Sequence, residues 1–394
     1  MEKPVYIYND KLIAASNCIP HLRGRAQMVH ELIKTCGLLE FLEMRPPKPA
    51  TTEDLLTFHS SLYVEFLTNS TSANTFNNDS SPGSEEEEFG LGYDCPTFEN
   101  MIDFGQTIAG GTIAAAGALI QGSKIAINWC GGWHHAQRDE ASGFCYVNDI
   151  VIGIQYLMKH FKRVLYIDLD SHHGDGVENA FSYTNRVLTL SLHHYEVGYF
   201  PGTGRIQDVG YSRGKYHSVN VPLKSGVVDA SFISMFEKVF QCVGENFCAD
   251  VIVVQCGCDC LSGDPLGNFN LTEKSLTHCV KTILQANLPT IFLGGGGYSL
   301  TNAAKTWTAL TFTILNREIP FDIPEHDFFL HYGPDFTFQV SEGLRRDENT
   351  TDYLATALQE IKENLEKIPK IAKSSNITSN NNFESLDPVC QGIL

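Results

Sequence analysis

Residues 168–178 read DLDSHHGDGVE and follow the apolar run VLYI. Asp168, Asp170 and His172 alternate, so in extended backbone their side chains share one side. Two carboxylates and an imidazole that close together repel unless protons or a cation intervene. A D-x-H pair joined by one distant carboxylate makes a zinc site with a position left open for water. Asp259 and Asp264, both downstream of the apolar run VIVV, compete for that third place, and residue type and spacing leave the two equal. A lone acid here would read as a helix cap or a solvated loop residue. The density of ionisable groups after a buried strand is what marks a site.

Two more histidines, His134 and His135, follow a Gly-Gly turn in CGGWHHA. Histidine is the side chain most easily poised for proton transfer near neutral pH. Asp168 and Asp175 are surplus carboxylates that can accept the remaining N–H of each ring, which fixes the tautomer and raises basicity. Tyr298 follows four glycines in GGGGYSL, and its hydroxyl can donate to a developing oxyanion. That glycine run matches neither the P-loop nor the dinucleotide fingerprint, which argues against a nucleotide site. Trp133, Phe144, Tyr199 and Phe200 lie beside these segments. Singly each reads as core; together, with Gly143 beside Phe144, they can wall a narrow slot for an aliphatic chain.

The elements that must carry these groups repeat one pattern, a short β-rich apolar run and then a loop of Gly, Asp, His or Tyr. It occurs at 124–137, 164–176, 187–204, 251–265 and 290–300. Helical segments are predicted at 150–161, 229–247 and 271–286, with an amphipathic terminal helix at 355–368. Strands alternating with helices predict an α/β fold, a mostly parallel sheet covered on both faces, whose sites form beyond the carboxyl ends of the strands. Residues 69–88 and 371–394 are polar and poor in core formers, which predicts a disordered acidic loop and a disordered tail around a single domain over 1–370.

The chain has 394 residues and a net charge of −18 from 28 Lys plus Arg and 46 Asp plus Glu. That balance argues against direct nucleic-acid binding through a basic surface and suits a cationic ligand such as a lysine-rich peptide. The first residues lack the apolar stretch of a signal peptide, and no run approaches the roughly 18 residues that span a bilayer. The 12 cysteines are therefore expected as reduced thiols in nucleus and cytoplasm. Cys256, Cys258 and Cys260 alternate and point one way in extended backbone, which suits packing better than metal binding.

In order along the chain stand RAQMVH (25–30), GLGYDCP (90–96), NWCGGWHHA (128–136), EASGFCYVND (140–149), DLDSHHGDGVE (168–178), FPGTG (200–204), SGDPLGNFNLT (262–272) and GGGGY (294–298). From about Val5 to about Leu365 the chain resembles the class I zinc-dependent histone deacetylases. The resemblance implies the arginase/deacetylase fold, with one parallel sheet in one domain. It implies zinc, with iron(II) as the alternative in cells, on Asp170, His172 and Asp264, the last chosen over Asp259. It implies His134 and His135 as the catalytic pair backed by Asp168 and Asp175, and Tyr298 polarising the acetyl carbonyl. Tunnel walls fall on Gly143, Phe144, Phe200 and Leu271, with Trp133 beside them, and Asp94 holds the substrate backbone at the rim. Structural potassium is implied at Asp168, Asp170, His172, Ser191 and Leu192, and again at Phe181, Thr184, Val187 and His217, where an aromatic is usual in place of histidine.

The substrate class implied is acetylated lysine in histone tails or other proteins, with longer acyl chains and small acetylated amines as alternatives. Corepressor-dependent members carry arginines where this chain has Pro265 and Thr301, so an inositol-phosphate complex is not expected and a monomer is. An arginase-like second metal would need an acid where Gly174 stands. A polyamine deacetylase would need an acidic gatekeeper at Leu271. A silent scaffold would not keep every catalytic position.

Overall fold

Strands built from unbroken Val, Ile and Leu cannot leave either face to water, and the sheet formed here leaves neither. The computed structural model describes residues 3–70 and 85–369. Eight strands, β1 (Val5–Ile7), β2 (Glu43–Arg45), β3 (Ile125–Asn128), β4 (Val164–Asp168), β5 (Val187–His194), β6 (Ser218–Leu223), β7 (Val251–Gln255) and β8 (Thr290–Leu293), form one sheet. Their order is β2-β1-β3-β8-β7-β4-β5-β6. Every pairing is parallel. Alternate residues of a strand enter opposite cores. Leu165 and Ile167 of β4 join Ile252 and Val254 of β7 on one side. Val164 and Tyr166 join Val251 and Val253 on the other. The α/β expectation and its five strands therefore hold.

The four predicted helices occur as Asp149–Met158, Asp229–Asn246, Glu273–Gln285 and Thr351–Leu365. Most of the predicted loop, residues 71–84, and the tail from 370 lie outside the described residues. The borders of that loop are helical, at Ser61–Asn69 and Glu85–Glu88. Cys256, Cys258 and Cys260 lie just past β7 and are fully buried among apolar side chains, the packing role expected of them. The described cysteines are free thiols. No described helix is long and apolar enough to cross a membrane.

The chain lays β4, β5 and β6 outward in one direction, then returns to place β7 on the other flank of β4. Such a reversal opens a crevice at the carboxyl ends of the two strands, because their exit loops lead apart. Register puts Asp168 level with Gln255 on one side and with Ser191 on the other, so the acids after β4 emerge at the crevice.

The loop after β3 is clamped from behind. Asp149 accepts from the Gly132 and Trp133 amides, and its carboxylate bonds the Thr112 hydroxyl. Asn148 donates to the Ala136 carbonyl at 2.9 Å. The Asn148 amide donates in turn to Nε2 of buried His59 at 3.0 Å, while His59 Nδ1 donates to the Arg138 carbonyl at 3.2 Å. This pairing requires the neutral ring, and burial lowers the His59 pKa to about 4. The unfolded chain therefore takes up this proton first. His59 contributes stability that is full above about pH 6.5 and is lost as pH falls towards 4, about 3 kcal/mol in all. Urea unfolding between pH 7.5 and 4 should show that slope in wild type and a shallower one, by about that amount, in His59→Gln. Parallel curves would remove His59 as a source of acid sensitivity.

Candidate active site

Asp170 and His172 follow β4, and Asp259 follows β7, on the two flanks of the crevice. The three are buried, and one ligand atom from each lies within 4.8 Å of the others. His172 Nδ1 is 3.2 Å from Asp170 Oδ1 and 2.9 Å from Asp259 Oδ2. Gln255 Nε2 donates to Asp170 Oδ2 at 2.7 Å, and the Gly296 amide at 2.9 Å. A Cβ at Gly296 would overlap the Asp259 carboxylate and crowd that of Asp170, so the glycine run serves close approach. Among the described residues this is the one group of His, Cys, Asp or Glu side chains that could hold a metal ion.

The third member is therefore Asp259, and the expectation of Asp264 is corrected. Asp264 Oδ1 accepts from the Leu266 amide at 3.0 Å. Its Oδ2 accepts from the amides of Tyr298 and Ser299 at 2.7 and 3.0 Å. Three backbone donors occupy the carboxylate, and it braces the segment carrying Tyr298 instead of meeting His172.

Electrostatics test whether the group fits a cation. Burial works against a charged His172, but Asp259 and Asp170 outweigh it and lift its pKa to about 10. Burial and then the charge of Asp170 push the Asp259 carboxyl up to about 7. Against burial, His134 and His172 hold the Asp170 carboxyl well below the usual carboxylate range, so a proton on His172 meets the charge of these desolvated carboxylates, the place a divalent cation takes when the donors are one imidazole and two carboxylates. The donor set fits a divalent metal ion.

Beside this group stand the two His–Asp pairs. His134 Nδ1 lies 2.8 Å from Asp168 Oδ2, which also accepts from Tyr166 at 2.6 Å. His135 Nδ1 lies 2.8 Å from Asp175 Oδ1. Burial opposes charge on His134, but Asp168 and Asp170 raise its pKa to about 9. Burial and the neighbouring His134 lower His135 to about 4. The second histidine of the H-H pair, His173, is held by Thr203 at 2.8 Å and Glu178 at 3.2 Å, so it anchors the FPGTG loop.

A narrow pocket reaches these groups, with Trp133, Gly143, Phe144 and Tyr298 among its walls. The pocket as a whole encloses about 20 Å³, room for a water molecule. Phe200 meets the His135 ring edge-on at 4.8 Å, and Tyr199 stacks on His172 at 5.1 Å. Gly143 has φ of +54°, and a Cβ there would strike the His135 ring. Half-buried Asp94 accepts from the Gly143 amide at 2.8 Å, which fixes the rim. Burial and the charges of Asp259 and Asp170 raise the Tyr298 phenol, so it remains a donor.

Leu271 is not a wall, a second correction. It is 0% exposed and packs in the core, while Leu266 on the same loop is 42% exposed and its carbonyl accepts from Tyr199 at 3.0 Å. No gatekeeper inference can rest on Leu271. Of the residues expected for potassium, Asp168 and Ser191 are level across β4 and β5, with Leu192 following. The Thr184 amide donates to Phe181 and the His217 carbonyl accepts from Thr189, near the start of β5 at Val187.

Sequence reasoning gave no role to Gln255, a polar residue ending an apolar strand, which is the signal that would have found it. It also left Arg25 without one. That guanidinium is buried, donates to the Gly297 carbonyl at 2.9 Å and lies 4.8 Å over the Trp307 ring, so it pins the glycine run from below.

A parallel α/β sheet whose exits unite a buried carboxylate–imidazole–carboxylate group, two His–Asp pairs and a tyrosine defines a metal-dependent hydrolase. The family described as the histone deacetylase domain matches residues 20–314. The chain is 44% identical over 367 residues to histone deacetylase 8 of Xenopus tropicalis, covering 93% of this chain and 98% of that one. It is 43% identical to histone deacetylase 8 of Danio rerio, covering 92% and 95%. It is 44% identical over 351 residues to histone deacetylase 1 of Homo sapiens, covering 89% and 71%. The chain belongs to the histone deacetylase family, within class I.

Proposed function

We propose that this deacetylase is zinc-dependent and hydrolyses N6-acetyl-lysine in histone tails or other proteins to lysine and acetate. The observation that carries the proposal is the placement of Asp170, His172 and Asp259 beside the His135–Asp175 pair at the base of a narrow slot. When bound, a divalent metal on those three residues supplies a Lewis acid and lowers the pKa of water. His135 donates Nδ1–H to Asp175, which leaves its other nitrogen to take the proton of the attacking water. Tyr298 donates to the oxyanion that develops on the acetyl carbonyl. His134 or His135 then returns a proton to the departing lysine amine. Phe144, Phe200 and Trp133 exclude water from the lysine stem, and Asp94 with Gly143 forms the rim on which a peptide backbone rests.

Membership of the histone deacetylase family supports acetyl-lysine over longer acyl groups. Family resemblance supports structural potassium on main-chain oxygens of Asp168, Asp170, His172, Ser191 and Leu192, and of Phe181, Thr184, Val187 and His217. Pro265 and Thr301 support a monomer that acts without an inositol-phosphate complex, in nucleus and cytoplasm. Removal of metal by chelation should abolish turnover of an acetyl-lysine peptide, and one equivalent of zinc per chain should restore it. Full turnover by the chelated protein would refute the metal's role. Restoration by iron(II) alone would refute zinc. Faster turnover of a dodecanoyl-lysine peptide would refute the acetyl preference.

A further inference from the structure

We propose that Gln137 is a positioning residue for the reaction, holding Asp175 so that His135 keeps its productive orientation. This inference rests on the role assigned to His135 above. The two carboxylates behind the histidines are held differently. Asp168 is sealed from water and takes bonds from the Tyr166 hydroxyl at 2.6 Å and the Asp170 amide at 3.2 Å, as well as from His134. Asp175 has no such seal. Its side chain is 12% exposed and forms part of the lining of a second, polar cavity of about 400 Å³ that also includes Arg138, Asp139, Glu140 and Asn179.

Gln137 stands between that cavity and the site. Its Nε2 donates to Asp175 Oδ2 at 3.0 Å and to the His135 carbonyl at 3.1 Å, so one amide ties the carboxylate to the residue it orients. Its Oε1 accepts from Asn179 at 3.0 Å, which fixes which end of the amide faces Asp175. Gln137 thus does for Asp175 what Tyr166 does for Asp168. Without it, Oδ2 turns to the water of the cavity, the carboxylate can rotate, and the imidazole loses its fixed tautomer and direction.

A donor at position 137 is what the chemistry requires. Q137E keeps the shape but sets a carboxylate against a carboxylate. Q137K keeps a donor within reach of Asp175. Each variant is assayed with an acetyl-lysine peptide as metal-loaded protein, alongside its melting temperature and metal content. Q137E should lose about 10-fold or more in kcat with KM, metal content and melting temperature unchanged, the scale of outer partners of site residues. Q137K should recover most of that rate. An unchanged kcat in Q137E, or an equal loss in Q137K, would overturn the inference. Loss of metal or of melting temperature matching the loss of rate would overturn it too, because the effect would then be structural. His135→Ala separates the two levels. If it retains full activity, the role of His135 falls; if it is inactive while Q137E is fully active, the inference about Gln137 alone falls.

Discussion

Asp259→Ala is expected to lose metal and to lower acetyl-lysine turnover by well over 100-fold. Changes to partners of ligands already cost about 10- to 100-fold, and removing a ligand removes a bond to the ion itself. Asp259 contributes one of three buried donors, and it meets His172 at 2.9 Å across the crevice. Truncation leaves Asp170 and His172, both from one loop, with no donor on the β7 side. Asp264→Asn is the contrasting variant. It keeps the three donors and the metal but weakens the brace of backbone amides from Leu266, Tyr298 and Ser299. Its cost should appear as about 1–3 kcal/mol of stability. Metal content by elemental analysis, read beside thermal unfolding, checks both. A protein that keeps its metal without Asp259 and loses it without the Asp264 carboxylate would reverse the assignment.

Tyr298→Phe is expected to keep metal, fold and peptide binding while kcat falls about 100- to 1000-fold, the effect of deleting one oxyanion donor, about 3–4 kcal/mol in the barrier. The ring stays, with its edge against Phe144 at 5.6 Å, so the slot keeps its wall. The backbone stays as well, because Asp264 holds the amide and not the phenol. Burial and the charges of Asp259 and Asp170 keep the phenol protonated through the neutral range, so no rise in rate from its ionisation is expected there. Single-turnover kinetics with an acetyl-lysine peptide, and affinity for the uncleaved peptide, separate binding from chemistry. A fall in affinity with an unchanged chemical step would make Tyr298 a binding residue only.

The parts of the site legible in the sequence are those closest to a strand end. Asp168 closes β4, and Asp170 and His172 follow within four residues, so spacing and resemblance could both place them. Asp259 and Asp264 lie five positions apart in an irregular turn, where no period says which way a side chain points. The same segment misled the placement of Leu271, which turns into the core while Leu266 faces out. Among the strands, β1 and β2 are three residues long, too short for a pattern. Strand β6 carries Pro222, which argues against a central strand and is tolerated because β6 forms an edge. Gln137 stayed invisible because a glutamine two places after a histidine signals nothing until its amide meets Asp175 across 38 positions.

The reversal that sets β7 against β4 has a consequence for biogenesis. His172 and Asp259 are 87 residues apart, and everything between them, including β5 and β6, is synthesised before the last donor appears. A nascent chain that ends before β7 has two donors from one loop and no cage. An ion held by these three side chains would load only once the two halves of the sheet had zipped together, and would rivet an early piece of the polypeptide to a late one.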